Sequence, residues 1–241
     1  MPARGEPDYQ LIEGFLSRVH REGRQTLTEP EAKEVLALAG IPVPAEVVAT
    51  SAAEAERAAR RIGFPVVLKI VSSDLPHKSD VGGVQLGVRS PQEVRRAYAA
   101  LIRRVRSASR SARIGGVLVQ PHLKGLEVIL GATHDAQFGP VVVFGLGGTA
   151  VEILGDVAFR LVPIRDRDAR EMIREIRSAP LLDGYRGAAA VDTRSIVRAL
   201  LNLSRLMYRF SDVIREIEIN PMVMTPRGGV AVDAMAVLAR R

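Results

Sequence analysis

Lys69 interrupts an otherwise apolar run, Phe64-Pro65-Val66-Val67-Leu68-Lys69-Ile70-Val71, where a charge is costly unless it is paired. Nothing acidic follows in sequence until Asp74. Two readings are open: a strand lysine that holds a phosphate, or an edge lysine whose head reaches water. The polar loop Ser72-Ser73-Asp74-Leu75-Pro76-His77-Lys78-Ser79-Asp80-Val81-Gly82-Gly83-Val84 comes next. Gly82 and Gly83 let backbone amides approach an anion closely. His77, with Asp74 and Asp80 close by, has the chemistry of a nucleophile or proton carrier, and equally that of a plain surface residue. Further on, Phe144-Gly145-Leu146-Gly147-Gly148-Thr149 follows an apolar run and can seat a phosphate at Gly147 and Gly148.

The last candidate is a hairpin turning at Thr225-Pro226-Arg227-Gly228, with arms Ile214 to Met224 and Gly229 to Val237. Such a turn sets Met224 opposite Gly229, so Met222 faces Ala231 and Asn220 faces Asp233. The strand period of two then puts Glu218 and Asn220 on the face of Asp233, with Ile217 and Ile219 turned towards core. Mixed carboxylate and amide oxygens suit Mg²⁺, which takes few protein ligands and completes its shell with phosphate and water. The competing reading is an exposed polar face.

These residues need a frame. Leu11, Ile12, Phe15, Leu16 and Val19 share one face of a helix over 9–24. Thr28-Glu29-Pro30-Glu31 is a capping box that opens a helix ending at Gly40. Ile41-Pro42-Val43-Pro44 forces an extended exit. Ser51-Ala52-Ala53-Glu54 starts a helix that stops near Gly63, and Ser90-Pro91-Gln92-Glu93 starts another. Short strands are expected at 64–71, 117–120, 127–131 and 140–144, and further helices at 167–178 and 193–210. The division this predicts is a helical extension over 1–27, a lobe over 28–112 with the phosphate and histidine loop, and a lobe over 113–241 with the metal-binding hairpin. Two successive α+β lobes point to a ligand cleft between them.

Composition narrows the chemistry. The 241 residues contain no Cys, which excludes disulfides, thiolate catalysis and Cys-ligated zinc. His20, His77, His122 and His134 never form HxxxH or HExxH. No apolar run approaches the roughly 20 residues that span a bilayer, and no signal segment opens the chain, so a soluble, cytoplasmic protein is expected. The formal charge is +7, from 34 Lys and Arg against 27 Asp and Glu. The cluster Arg103, Arg104, Arg106, Arg110 and Arg113 has no interleaved aromatics, so it reads as a solvated helix face and not as a nucleic-acid surface. There is no GxxxxGK[ST] and no dinucleotide fingerprint, so a nucleotide needs another architecture.

The order strand Lys69, Gly-rich loop, Gln120-Pro121-His122-Leu123-Lys124-Gly125-Leu126-Glu127, Gly-Leu-Gly-Gly, then Glu218-Ile219-Asn220-Pro221 and Asp233 resembles an ATP-grasp domain. It is more closely similar to the beta subunits of ADP-forming acyl-CoA (acetate–CoA) ligases, over about residues 24 to 239. The resemblance implies an ATP-grasp fold of two α+β subdomains with ATP or ADP in the cleft between them. It implies Lys69 on the α and β phosphates and Gly82 and Gly83 closing over them. It places Gln120, Pro121, His122 and Leu123 against adenine, Glu127 at the ribose or a neighbouring polar group, and Mg²⁺ on Asn220 and Asp233. Glu218 would lie near a visiting phosphohistidine, and His77 matches a second histidine proposed to relay the phosphoryl group.

The resemblance also implies a separate alpha subunit that binds CoA and carries a phosphorylatable histidine, in a heterotetramer. The absence of a CoA-binding domain before the lobes, or of a further domain after Asp233, adds to the expectation of a split enzyme. Two rivals stand beside it. Another ATP-grasp ligase working through an acyl phosphate would not need His77, and a nucleotide sensor would bind without phosphoryl transfer.

Overall fold

The computed structural model describes residues 7–75, 78–147 and 155–240. In chain order its elements begin with α1 (Tyr9–Arg21), α2 (Glu29–Leu38), β1 (Val47–Ala49), α3 (Ala52–Ile62), β2 (Val66–Val71), β3 (Val84–Val88), α4 (Pro91–Ala108) and β4 (Gly116–Pro121). They continue with β5 (Leu126–Asp135), β6 (Gly139–Leu146), β7 (Val157–Leu161), α5 (Asp166–Glu175), a 3₁₀ turn (Ala179–Leu181), α6 (Thr193–Arg209), β8 (Ile214–Thr225), β9 (Gly228–Ala231) and β10 (Ala234–Leu238).

Contacts divide the chain into two compact units, Pro44–Leu123 and Met1–Val43 with Lys124–Arg241. The smaller is a four-stranded antiparallel sheet, order β1-β4-β2-β3, with α3 and α4 on one face. Both helices start as the sequence predicts: the Ser51 and Ser90 hydroxyls accept from the Glu54 and Glu93 amides, which satisfies an orphan donor at each end. Val66, Leu68 and Ile70 of β2 and Val117 and Val119 of β4 meet Ala55, Ala58, Leu101 and Val105 of the helices in one core.

The larger unit is a sheet of order β10-β8-β5-β6-β7, with β9 paired to β8. Its core face carries Val128, Leu130, Ala132, Val142 and Phe144, covered by α6 and joined by Val35 and Leu36 of α2 and by Ile12 and Leu16 of α1. The capping box at Thr28 forms: Glu31 accepts from the Thr28 amide and hydroxyl, each at 2.8 Å. Lys33 and Glu29, one helical turn apart, pair at 2.7 Å while buried, a feature no sequence pattern announced.

The observed units differ from the expected division at 27/28 and 112/113. Residues 28–43 join the larger unit because the chain before α2 hydrogen-bonds along β10: the Leu27 amide donates to the Ala236 carbonyl and the Leu238 amide to the Gln25 carbonyl. β4 joins the smaller unit because it pairs with both β1 and β2. β1, β3 and β7 were not anticipated. Each is five residues or fewer, too short for periodicity to stand out. No helix of the described residues is long and apolar enough to cross a membrane.

Candidate active site

In the smaller unit β2 is buried throughout. Its alternate residues Val66, Leu68 and Ile70 face the helices, which sends Lys69 to the opposite sheet face. Lys69 sits opposite Leu118, and Val67 opposite Gln120. Lys69 and Gln120 are therefore diagonal neighbours on that face, about 7 Å apart at the backbone. Lys69 is 5% and Gln120 2% exposed, which removes the snorkelling reading of the lysine. Pro121 pairs with Val66 at the end of β4, and the His122 amide donates to the Pro65 carbonyl at 3.0 Å. The half-buried segment Pro121-His122-Leu123 thus ends the smaller unit, whose boundary lies between Leu123 and Lys124.

The loop after β2 is tied down at both ends. Asp74 accepts from the Arg113 amide at 2.8 Å and forms an ion pair with its guanidinium at 3.0 Å. That guanidinium holds the Asp74 carboxyl down at about 2. At the far end the Gly82 amide donates to the Ser79 carbonyl and the Gly83 amide to the Lys78 carbonyl. These two amides close the loop on itself here and are not presented to an anion as the sequence had suggested. A Cβ on Gly83 would lie 2.8 Å from both Ile70 Cγ2 and the Lys78 carbonyl oxygen, so close backbone approach is what requires glycine. Gly82 has φ +63, a left-handed conformation that suits glycine. His77 lies outside the described residues.

In the larger unit Glu127, exposed near the start of β5, sits opposite Val223. Gly147 packs on its backbone: the Gly147 amide donates to the Glu127 carbonyl at 2.7 Å, and a Cβ on Gly147 would come within 2.9 Å of Glu127 Cβ. Gly148 lies outside the described residues.

The hairpin has the register read from its turn: Met224 opposite Gly229 and Met222 opposite Ala231. The Asn220 amide donates to the Asp233 carbonyl at 3.2 Å, and beyond it Ile219 pairs with Ala234 and Glu218 with Met235. Ile217 and Ile219 are core, as expected, but so are Met222 and Met224, which strict alternation places on the other face. The cause is a bulge: between Ile219 and Met222 β8 advances three residues while β5 advances two, from Leu130 to Val128. Bulges bend a strand and re-aim its side chains. Here Asn220 is exposed, Asp233 is half-buried and Glu218 is half-buried on the face away from the core. Among the described residues there is no cluster of three or more His, Cys, Asp or Glu able to hold a metal. The oxygens of Asn220 and Asp233 still suit a hard cation that takes its remaining ligands from phosphate and water.

The ATP-grasp domain family matches residues 18–238. The chain belongs to it. ATP-grasp domains bind nucleotide. Within the family the chain is 43% identical, over 85% of its length and 87% of the relative, to the acetate–CoA ligase [ADP-forming] II subunit beta of Pyrococcus furiosus. It is also 43% identical to the acetate–CoA ligase [ADP-forming] II of Archaeoglobus fulgidus, of which it covers 31%. Among solved structures it superposes on the acetyl-coenzyme A synthetase 1 of Ca. Korarchaeum cryptofilum in complex with coenzyme A, Ca-AMPCP and HgCl⁺. The TM-score is 0.91, with 44% identity over 94% of this chain and 99% of that one. The same synthetase with coenzyme A and Mg-AMPPCP, its phosphohistidine segment pointing towards the nucleotide binding site, gives a TM-score of 0.81 at 41% identity.

Two features of this ATP-grasp chain escaped the sequence reading. Arg113 was grouped with a solvated cluster, although it clamps Asp74 from 39 positions away. Gly131 lies opposite Glu218 in the ladder and leaves the surface beside that carboxylate without a side chain. A lone glycine within a strand pattern is the signal that could have found it.

Proposed function

We propose that this chain is the nucleotide-binding subunit of an ADP-forming acyl-CoA synthetase. The reaction is acyl-CoA + ADP + phosphate ⇌ carboxylic acid + CoA + ATP. The observation that carries the reading is the bulged hairpin, which sets Asn220 against Asp233 with Glu218 two residues before, in an ATP-grasp chain that also buries Lys69 beside Gln120. A nucleotide sensor needs no such set, and kinship with the ligase subunits favours the synthetase over other carboxylate ligases.

On this reading a partner subunit binds CoA, forms an acyl phosphate and passes its phosphoryl group to a histidine, in an assembly with two copies of each chain. Transfer then breaks the N–P bond of the phosphohistidine and forms a bond to the terminal oxygen of ADP. The work left to this chain is positioning and charge neutralisation. Lys69 neutralises the α and β phosphates, and its burial among apolar neighbours strengthens that attraction. Gln120, Pro121, His122 and Leu123 receive adenine, and Glu127 the ribose. Gly147 and Gly148 keep backbone close to the phosphates, while Gly82 and Gly83 shape the end of the loop after β2. Asn220 and Asp233 hold Mg²⁺, which when bound supplies charge neutralisation between phosphates. Glu218 stands beside the incoming phosphohistidine, and its carboxylate favours the imidazolium form, the better leaving group. His77 serves as a relay between the partner's histidine and ADP.

Reconstitution tests the reading. The chain mixed with its CoA-binding partner, acetyl-CoA, ADP, phosphate and Mg²⁺ should form ATP, and each chain alone should not. ATP-dependent coupling of a carboxylate to an amine without any partner would show a different ATP-grasp ligase instead.

A further inference from the structure

The sheet of the larger unit has a face that takes no part in its core. Two neighbouring rows of paired residues cross it. One runs Met235–Glu218–Gly131–Val143–Phe159 and the other Val237–Glu216–Thr133–Val141–Leu161. Each begins near a carboxylate and ends on a large apolar side chain of β7. Phe159 is 53% and Leu161 57% exposed, and neither belongs to the core cluster. Phe138, at the tip of the β5–β6 hairpin beside β7, is 64% exposed. Scattered apolar side chains on a surface are ordinary, but a contiguous strip marks an interaction site. With strands about 4.8 Å apart, Phe159 lies three strands and about 14 Å from Glu218.

We infer that the Phe159–Leu161 strip of β7 is where the histidine-bearing partner subunit docks, so that its phosphohistidine segment passes over Val143 and Gly131 to reach Glu218. The inference rests on the synthetase reading given above. Three observations select this occupant. The strip is continuous, row by row, with the carboxylate assigned to the partner's histidine. Gly131 adds no side chain beside Glu218, so half-buried Val143 is the one side chain in the row between that carboxylate and Phe159. In the Archaeoglobus relative the matching segment is 31% of one polypeptide, so there the same fold works tethered to a much larger body. The partner should present an apolar contact next to its histidine segment, since charged strips gain little against Phe and Leu.

Affinity between the full-length chain and its partner subunit, by calorimetry, is the test, with Phe159→Ser, Leu161→Ser and the double variant. Both side chains are more than half exposed, so folding and Mg·ATP binding should stay as in wild type. The double variant should lose about 30-fold or more in affinity for the partner, the effect of removing a hot spot. Leu11→Ser, an equally exposed change on α1, should have no effect. If the double variant misfolds, the single change Leu161→Gln carries the test. Wild-type affinity in the double variant overturns the inference and leaves the synthetase reading intact. Loss of self-association in place of partner binding assigns the strip to a second copy and overturns it too. A wild-type chain that binds no partner removes both.

Discussion

The two regions assigned to phosphate chemistry are built in opposite ways. The hairpin of β8, β9 and β10 hangs from a ladder: Glu218 pairs with Met235, and the Asn220 amide reaches the Asp233 carbonyl, both in the register that the turn sets. The loop from Ser72 to Gly83 hangs from contacts that have no period. It is tied by Asp74 to Arg113 and by its glycine amides to the Ser79 and Lys78 carbonyls. A ladder transmits position along a strand, so a register read at Gly229 fixes Asp233. A loop transmits nothing in that way. Its shape depends at one end on Arg113, distant in sequence, and at the other on backbone contacts within the loop.

The contrast breaks first at the hairpin. Asp233→Ala should lower phosphoryl transfer about 10³-fold, the size expected when metal-assisted charge neutralisation is lost. Raised Mg²⁺ should restore part of it, and Asn220→Ala should behave alike but more mildly. A Mg²⁺ titration of ATP formation measures both. Lys69→Met comes next, keeping the buried stem and deleting the charge. The expected fall in kcat/KM is about 10²-fold.

Effects in the loop should be smaller and of another kind. Gly83→Ala forces a Cβ against Ile70 and the Lys78 carbonyl, an overpacking that costs about 1–3 kcal/mol and shows in chemical denaturation. Gly147→Ala should act similarly against Glu127. The smallest effect concerns pH. Asp74 is held at about 2 against an ordinary 3.8, so its contribution to stability is complete above about pH 4 and is lost as pH falls through 2. The pair is exposed, which limits this to under about 1 kcal/mol. Arg113→Ala should flatten that part of the melting-temperature profile, and an unchanged slope would remove the clamp from the account.

Legibility in the sequence follows the same division. The helix starts at Thr28, Ser51 and Ser90 were readable because capping is local. The strand of Lys69 was readable from its apolar run, and the pairing of Asn220 with Asp233 because a turn fixes register. The bulge beside Asn220 was not: it is defined against β5, a strand some ninety positions earlier. The unit boundaries were misplaced for the same reason, since β4 belongs with strands far from it in sequence. The glycine amides of the loop were expected to face an anion, but their carbonyl partners could not be read from a list of residues. The ATP-grasp kinship and the ligase branch were legible from the motif order and are borne out.

The central claim is that this chain exchanges a phosphoryl group with a histidine. Incubating it with γ-labelled Mg·ATP and the partner subunit, then separating the chains, tests that directly. The account predicts acid-labile, base-stable label on the partner's histidine, with a His77→Asn chain that still binds nucleotide but passes on little label. Nucleotide bound by wild type with no label on either chain would contradict it.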